Sequence, residues 1–243
     1  MTTIDYKTEL KRLERFIRGQ AAWAEPPLRI LEAGCGREWY FDLGDIPHEV
    51  TGIDQDSHAL AIRQNEKGDL ARRIVGDLLT ADLPSDYYDV VYSSFVLEHI
   101  QGAQQALDNF VRWLKPGGLL IVRVPDLDGV QTFLAKSLPR WCAILYYRTI
   151  WGIKNAGLPG FAPYPAFYDE VISRAGFHDY CSVQGLEIVD EMGVGTYAGR
   201  GTAPLRYLLP VVAKVISFLS GGRVHDRNVD RTFVVRKEAN LPR

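Results

Sequence analysis

Cysteine is scarce in this chain. Cys35, Cys142 and Cys181 are odd in number and far apart. That leaves no disulfide framework and no paired metal-ligand spacing, so no metal is expected and the thiols read as reduced. Long apolar runs are also missing. No stretch approaches the ~18 apolar residues of a membrane-spanning helix. The first twenty residues hold Glu9, Lys11, Arg12, Glu14 and Arg15 where a secretory leader would have its apolar core. A cytoplasmic location is therefore expected. Excess charge of either sign is absent too: 28 lysines and arginines face 30 aspartates and glutamates, for a formal net charge of −2. This sets aside a surface built to coat nucleic acid. There are no internal repeats and no low-complexity tracts.

What is present is a series of apolar runs, each ending in polar residues. Leu28-Arg29-Ile30-Leu31 leads into Glu32-Ala33-Gly34-Cys35-Gly36. Glycines at such a turn let the backbone bend tightly and approach a ligand where a Cβ would clash. Val50-Thr51-Gly52-Ile53-Asp54, Val75-Gly76-Asp77-Leu78 and Asp89-Val90-Val91-Tyr92-Ser93-Ser94 repeat the pattern. Strands near 28–33, 50–54, 73–76, 88–93 and 118–124, with helices between them, predict an open parallel α/β sheet. Helices are expected over Ser57 to Asn65, with Ser57 as N-cap, and over Ala103 to Leu114, with Pro116-Gly117-Gly118 as stop. Glu98-His99 reads as the opening of the second of these. Ahead of the core, Tyr6 to Arg18 reads as an amphipathic helix with Leu10, Leu13, Phe16 and Ile17 inward and its charges outward.

Five segments in this order resemble a class I S-adenosylmethionine-dependent methyltransferase of the small-molecule type, with a core like that of ubiquinone and menaquinone methyltransferases. They are Glu32 to Gly36, Gly52-Ile53-Asp54, Gly76-Asp77-Leu78, Leu97-Glu98-His99-Ile100 and Leu114-Lys115-Pro116-Gly117-Gly118. The resemblance covers about Leu28 to Val124. It implies a Rossmann-like, seven-stranded, mostly parallel sheet with helices on both faces, and S-adenosyl-L-methionine as cofactor. It implies that Glu32 meets the methionine amino end, that Gly34, Cys35 and Gly36 pass under the cofactor, and that Asp54, with Gln55 beside it, holds the ribose hydroxyls. Asp77 would accept from the adenine amino group, Leu78 and Ile53 would flank the ring, and Ser93 would lie near the methyl group. The family usually has a glycine where this chain has Glu38.

Strand four is followed by Ser93-Ser94-Phe95-Val96 rather than an Asn/Asp-Pro-Pro-aromatic motif. This argues against methylation of nucleobase amines, and no Pro-Cys nucleophile follows. His99 is the candidate catalytic base; Tyr164, Tyr168 and His178 are weaker ones. The expected architecture is a single domain. An N-terminal helix occupies 1–27, a cofactor-binding core 28–124, and lid insertions 125–177 and 192–230. The insertions flank strands near 186–189 and 232–235. The first is rich in aromatics from Phe133 through Trp141 and Trp151 to Tyr168, and Gly157 to Pro165 alternates glycine and proline.

The expected reaction is methyl transfer to a small, apolar acceptor, at oxygen in preference to carbon. The alternatives are an NAD-type oxidoreductase and a non-catalytic binding protein that keeps the fold. For the apolar stretch 207–219, with Arg206 and Lys214 nearby, packing on the lid or a homodimer contact is preferred to a membrane surface.

Overall fold

The structure is a computed structural model that describes residues 3–149, 152–158, 161–195 and 203–239, with the side chains of 203–209 excepted. Trp151, Pro159 and the side chains of Arg206, Leu208 and Leu209, all marked in the sequence, lie outside the described residues.

The strands are β1 (Thr3–Ile4), β2 (Leu28–Ala33), β3 (His48–Asp54), β4 (Arg72–Val75), β5 (Tyr88–Ser94), β6 (Leu114–Pro125), β7 (Leu186–Val194) and β8 (Asp230–Lys237). They form one sheet in the order β1-β7-β8-β6-β5-β2-β3-β4. Among the described strands, only β8 runs against its neighbours, β6 and β7. The helices are α1 (Tyr6–Gln20), α2 (Ser57–Glu66), α3 (Ala103–Trp113), α4 (Val130–Ser137), α5 (Arg140–Thr149), α6 (Arg174–Gln184) and α7 (Ala203–Leu219).

The central strands are apolar on both faces, as a parallel sheet covered on both sides requires. Leu31, Val91, Leu120 and Val122 pack with Phe110, Trp113, Phe177 and Phe233 on one side. Ile30, Val90, Ile121 and Val234 pack with Leu13 and Ile17 of α1 on the other. Burying Leu13 and Ile17 contributes about 1.5–3 kcal/mol each, which fixes α1 to the sheet.

The observed fold departs from expectation in several places. The sheet has eight strands rather than seven, because Thr3 and Ile4 pair in parallel with Gly193 and Val194. The N-cap of α2 is Asp56, not Ser57: its carboxylate accepts the amides of His58 and Ala59. β6 begins at Leu114, so Pro116-Gly117-Gly118 lies inside the strand as an irregularity. Tyr88 pairs with Leu114 and Val90 with Leu119, and the residues between are looped out. Glu98 and His99 belong to a separate short turn, Leu97–His99, divided from α3 by Gly102 at φ +88°. Glu9, expected among the outward charges of α1, is fully buried, because Arg123 of β6 waits beneath it.

β7 continues to Val194, where it pairs with Asp230, so the second long connection spans 195–229. α6 begins at Arg174, and its Phe177 stacks on Phe233 in the core. The first connection, from β6, therefore ends at Ser173. Both connections begin at the carboxyl edge of the parallel strands. They are joined there by backbone hydrogen bonds, Val130 N–H to His225 O at 3.0 Å and His225 N–H to Asp128 O at 2.9 Å.

Candidate functional site

In an open α/β sheet a ligand crevice forms at the carboxyl edge where strand order reverses. Here the reversal lies between β2 and β5. Register brings the ends of four strands into one row: Ser93 pairs with Ala33, Ala33 with Ile53, and Ile53 with Ile74. The residues picked out in the sequence leave from that row.

The glycine loop turns directly after it. Gly34 has φ +73°, and a Cβ there would lie 2.2 Å from a Val96 methyl. Only glycine fits. The amides of Gly34 and Cys35 donate to Ile53 O at 2.8 and 3.2 Å. Gly36, at φ +53°, donates its amide to Asp54 Oδ2 at 2.8 Å, and a Cβ there would meet open space. Asp54 Oδ1 accepts the Asp56 amide at 2.9 Å. A carboxylate has about four lone-pair sites. Two backbone donors hold Asp54 in place and leave capacity for a pair of hydroxyls. Gln55 beside it is exposed. Asp77, two residues past β4, accepts the Leu79 amide at 2.9 Å, and Leu78 is buried against Ile53 and Leu31. Ser93 is buried, and its hydroxyl has no hydrogen-bond partner among the described residues. A glycine loop open on its outer side, a held acid, a second acid and an orphaned buried hydroxyl on one edge suit a nucleoside with a polar tail.

Two placements differ from the picture drawn from sequence. The Cys35 side chain lies beneath the loop, close against Gly52, and burial pushes its thiol up to about 12. Any ligand contact at Cys35 is therefore through its backbone. Glu32 is buried and pairs with Arg63 of α2 at 2.7 Å. Burial raises its pKa, and Arg63 pulls the other way. Arg63 also grips Asp69 through two bonds and donates to Cys35 O at 3.1 Å. Glu32 and Arg63 together buttress the loop from below.

His99 sits five residues past the end of β5, on the turn Leu97–His99. Its Nδ1 lies 2.6 Å from Pro165 O, and its ring meets Tyr164 edge-on at 5.8 Å. A carbonyl oxygen only accepts, so Nδ1 carries the proton and Nε2 keeps its lone pair. Burial lowers the His99 pKa, which favours this neutral form. The neighbouring Glu98 is buried deeper. Its Oε2 has no hydrogen-bond partner among the described residues, and burial pushes its carboxyl up to about 8, with Asp230 adding to the rise.

The first insertion is stitched across this turn. Phe167 donates its amide to Glu98 O at 2.8 Å. Asp169 accepts the amides of Gly102 and Ala103 at 2.9 and 2.8 Å, and so caps α3 from outside it. Tyr168 between them takes φ +54°, and Phe95 after β5 takes φ +55°, both unusual for aromatic residues. His178, by contrast, pairs with Glu191 at 3.0 Å in a network with Arg174 and Arg231, and so joins α6 to the sheet.

Sequence reading overlooked three side chains here and gave Glu98 no role beyond its motif. Arg63 and Asp169 carried no pattern that marked them. Arg123 did, as a lone cation in the apolar run Leu119 to Val124. It is buried, makes two 2.8 Å bonds to Glu9, and lies between the rings of Phe95 and Tyr6.

Residues 31–122 match the family described as methyltransferase domain. The chain is 31% identical over 126 residues to a malonyl-[acyl-carrier protein] O-methyltransferase of Enterobacter lignolyticus, covering 48% of this chain and 45% of that one. It is 30% identical over 195 residues to an S-adenosyl-L-methionine-dependent Diels-Alderase of Talaromyces variabilis, covering 75% of this chain and 63% of that one. Its fold aligns with a SAM dependent methyltransferase from Archaeoglobus fulgidus at a TM-score of 0.51 and 14% identity, over 94% of both chains. The chain spans 38% of the length of a Mycolicibacterium smegmatis relative and 21% of two Arabidopsis thaliana relatives.

Proposed function

We propose that this chain, whose residues 31–122 form a class I S-adenosylmethionine-dependent methyltransferase domain, transfers a methyl group to a small apolar acceptor, at oxygen in preference to carbon. The cofactor supplies an electrophilic methyl on a sulfonium. The chain's own residues do the rest. Gly34, Cys35 and Gly36 offer backbone, Asp54 accepts the ribose hydroxyls, and Asp77 with Leu78 and Ile53 receives the adenine. Ser93 serves the methionine end, and Glu32 acts there only through the loop that it and Arg63 support. Alignment and exclusion of water provide most of the rate in a displacement of this kind.

The observation that carries the choice of oxygen is the tautomer of His99. With Nδ1 held by Pro165 O, Nε2 is a neutral base that can take a hydroxyl proton as the methyl arrives. A carbon acid would ask for a stronger base. The connections 126–173 and 195–229 serve as a composite lid over the carboxyl edge, and their aromatics suit an apolar acceptor. Calorimetry tests the cofactor: S-adenosylmethionine and S-adenosylhomocysteine bind, and NAD does not. Labelled cofactor with a metabolite extract then tests transfer, and label in the organic phase is the expected result. Tight binding of NAD alone would sink the reading.

A second reading has one observation in its favour. The Talaromyces variabilis relative matches well beyond the core, over 75% of this chain. In that reading the cofactor is held but the lid cavity directs a cyclisation without methyl transfer. Cofactor binding with no label in any product would favour it.

A further inference from the structure

Charge along this chain is unevenly distributed. Between Gly129 and Tyr168, and again between Met192 and His225, there is no aspartate or glutamate. Those two stretches hold eight of the chain's 28 lysines and arginines and none of its 30 acids, which leaves the remainder at 20 basic against 30 acidic residues. The near-neutral total hides a cationic part and an anionic part. The fold sets the two cationic stretches side by side, through the backbone bonds between Val130, Asp128 and His225 and the packing of α4 on α7.

The helices of these stretches expose their apolar residues. In α7, Val211, Val215, Phe218 and Leu219 stand at i, i+4, i+7 and i+8, and all are at least half exposed, Phe218 by 83%. Ala213, Ile216 and Ser217 are the more covered residues, so only part of the apolar surface of the helix is turned inward. A helix packed only against protein would not carry a second, exposed apolar stripe of this size. α5 repeats the pattern with Trp141, 65% exposed, and Leu145 one turn on. Arg140 and Lys214 stand exposed beside the two stripes.

We propose that this face docks on a bilayer surface that contains anionic lipid, with α5 and α7 lying in the interfacial plane. Apolar stripes sink into the headgroup boundary, tryptophan sits at headgroup depth, and lysine and arginine reach the phosphates. A second copy of the chain would bring up the same positive charge, and like charges at an interface repel. No described helix is long and apolar enough to cross a membrane. The face lies at the edge where both connections leave the sheet, so docking turns the candidate site toward the lipid phase. That last clause rests on the proposed methyl transfer; the docking itself does not.

Flotation of the full chain with vesicles tests this. One set is phosphatidylcholine alone, and the other contains about one-third phosphatidylglycerol, to supply the surface charge. The chain is expected to float with the second set only, and less at high salt. Lys214→Gln lowers the partition about fivefold, and Phe218→Ser with Leu219→Ser lowers it on the order of tenfold or more. Trp23→Ser leaves it unchanged. Trp23 is 82% exposed, but it follows α1, where Gln20 bonds Gly117 near the amino end of β6, at the opposite edge of the sheet. All the substituted side chains are exposed, and circular dichroism confirms that the variants fold. Equal binding to both vesicle sets, binding to neither, or an equal loss with Trp23→Ser overturns the proposal. So does a dimer in light scattering that the Phe218/Leu219 variant dissociates.

Discussion

Around the glycine loop, each close contact is supplied by the core itself. Arg63 holds Cys35 O and Glu32 from below, Asp54 holds Gly36, and Ile53 O takes two amides. In the two long connections, Trp141, Leu145 and Phe218 face outward, and the ties to the core gather at the ends and at one crossing: Asp126 pairs with Arg231 at 2.7 Å, Ile172 is buried in the core, and Pro165, Phe167 and Asp169 bond the turn after β5. One region is fixed by side chains in low dielectric, where a lost partner is costly. The other is anchored at its ends, and its outward positions, such as Trp141 and Phe218, can change at little cost to folding. In the proposed reading, cofactor geometry belongs to the first region and acceptor choice to the second.

The contact of His99 with Pro165 joins the two regions and is the place to break the comparison. His99→Ala is expected to lower turnover by about 10²–10⁴-fold while cofactor affinity in calorimetry stays nearly the same. A loss confined to the acceptor KM would make it a positioning residue, and no change in either would remove it from the site. Since burial lowers the His99 pKa, the acid limb of kcat/KM should fall below the ordinary histidine value of 6.5.

Arg63→Met tests the rigid region. It leaves Glu32 and Asp69 without their cation and should cost about 3–5 kcal/mol in denaturant unfolding, with cofactor affinity falling as the loop loosens. Unchanged stability would mean that the loop does not depend on its buttress. Asp54→Ala should weaken cofactor binding by about 1–3 kcal/mol. Full affinity in a folded variant would move the ribose site elsewhere.

Glu98 gives a pH signature. Its carboxyl is raised from 4.5 to about 8 in the folded chain, so the native state holds a proton that the unfolded chain releases. Stability from this group is complete below about pH 4.5 and is lost as pH rises through 8. Stability from thermal melts across that window should slope downward by about 1.4 kcal/mol per pH unit, and Glu98→Gln should flatten the slope. An unchanged slope in the variant would show that Glu98 ionises normally. The smallest effect belongs to the outer region: Trp141→Ser should shift stability by no more than about 0.5 kcal/mol and leave cofactor affinity alone. A large loss would show that α5 is part of the folded core.

Elements with local causes were legible in the chain. Leu28–Ala33 was read to the residue, since a short apolar run closed by a glycine turn marks it. α1 was found from its apolar stripe, α3 from its place between strands ahead of Pro116-Gly117-Gly118, and Gly34 and Asp54 from their places at strand ends. The limits that went astray depend on pairing partners far along the chain. β7 reaches Val194 because Asp230 lies opposite, and Leu114 joins the sheet because Tyr88 does. Glu9 was expected at the surface because helical periodicity says nothing of an arginine that lies 114 residues away in sequence.

By itself the sequence determined the class of fold, the order of the strand-end motifs and the residues that leave the sheet at its crevice. These follow from periodicity and turn chemistry within a few neighbouring residues. Tertiary structure alone decided which polar side chains are buried and what they hold: Arg63 beneath the loop, Arg123 beneath α1, Glu98 with one carboxyl oxygen unbonded among the described residues, and Asp169 capping a helix that it does not belong to. Burial and long-range pairing arise only when distant segments meet. The free energy of a buried charge is set by the partners that the fold brings to it.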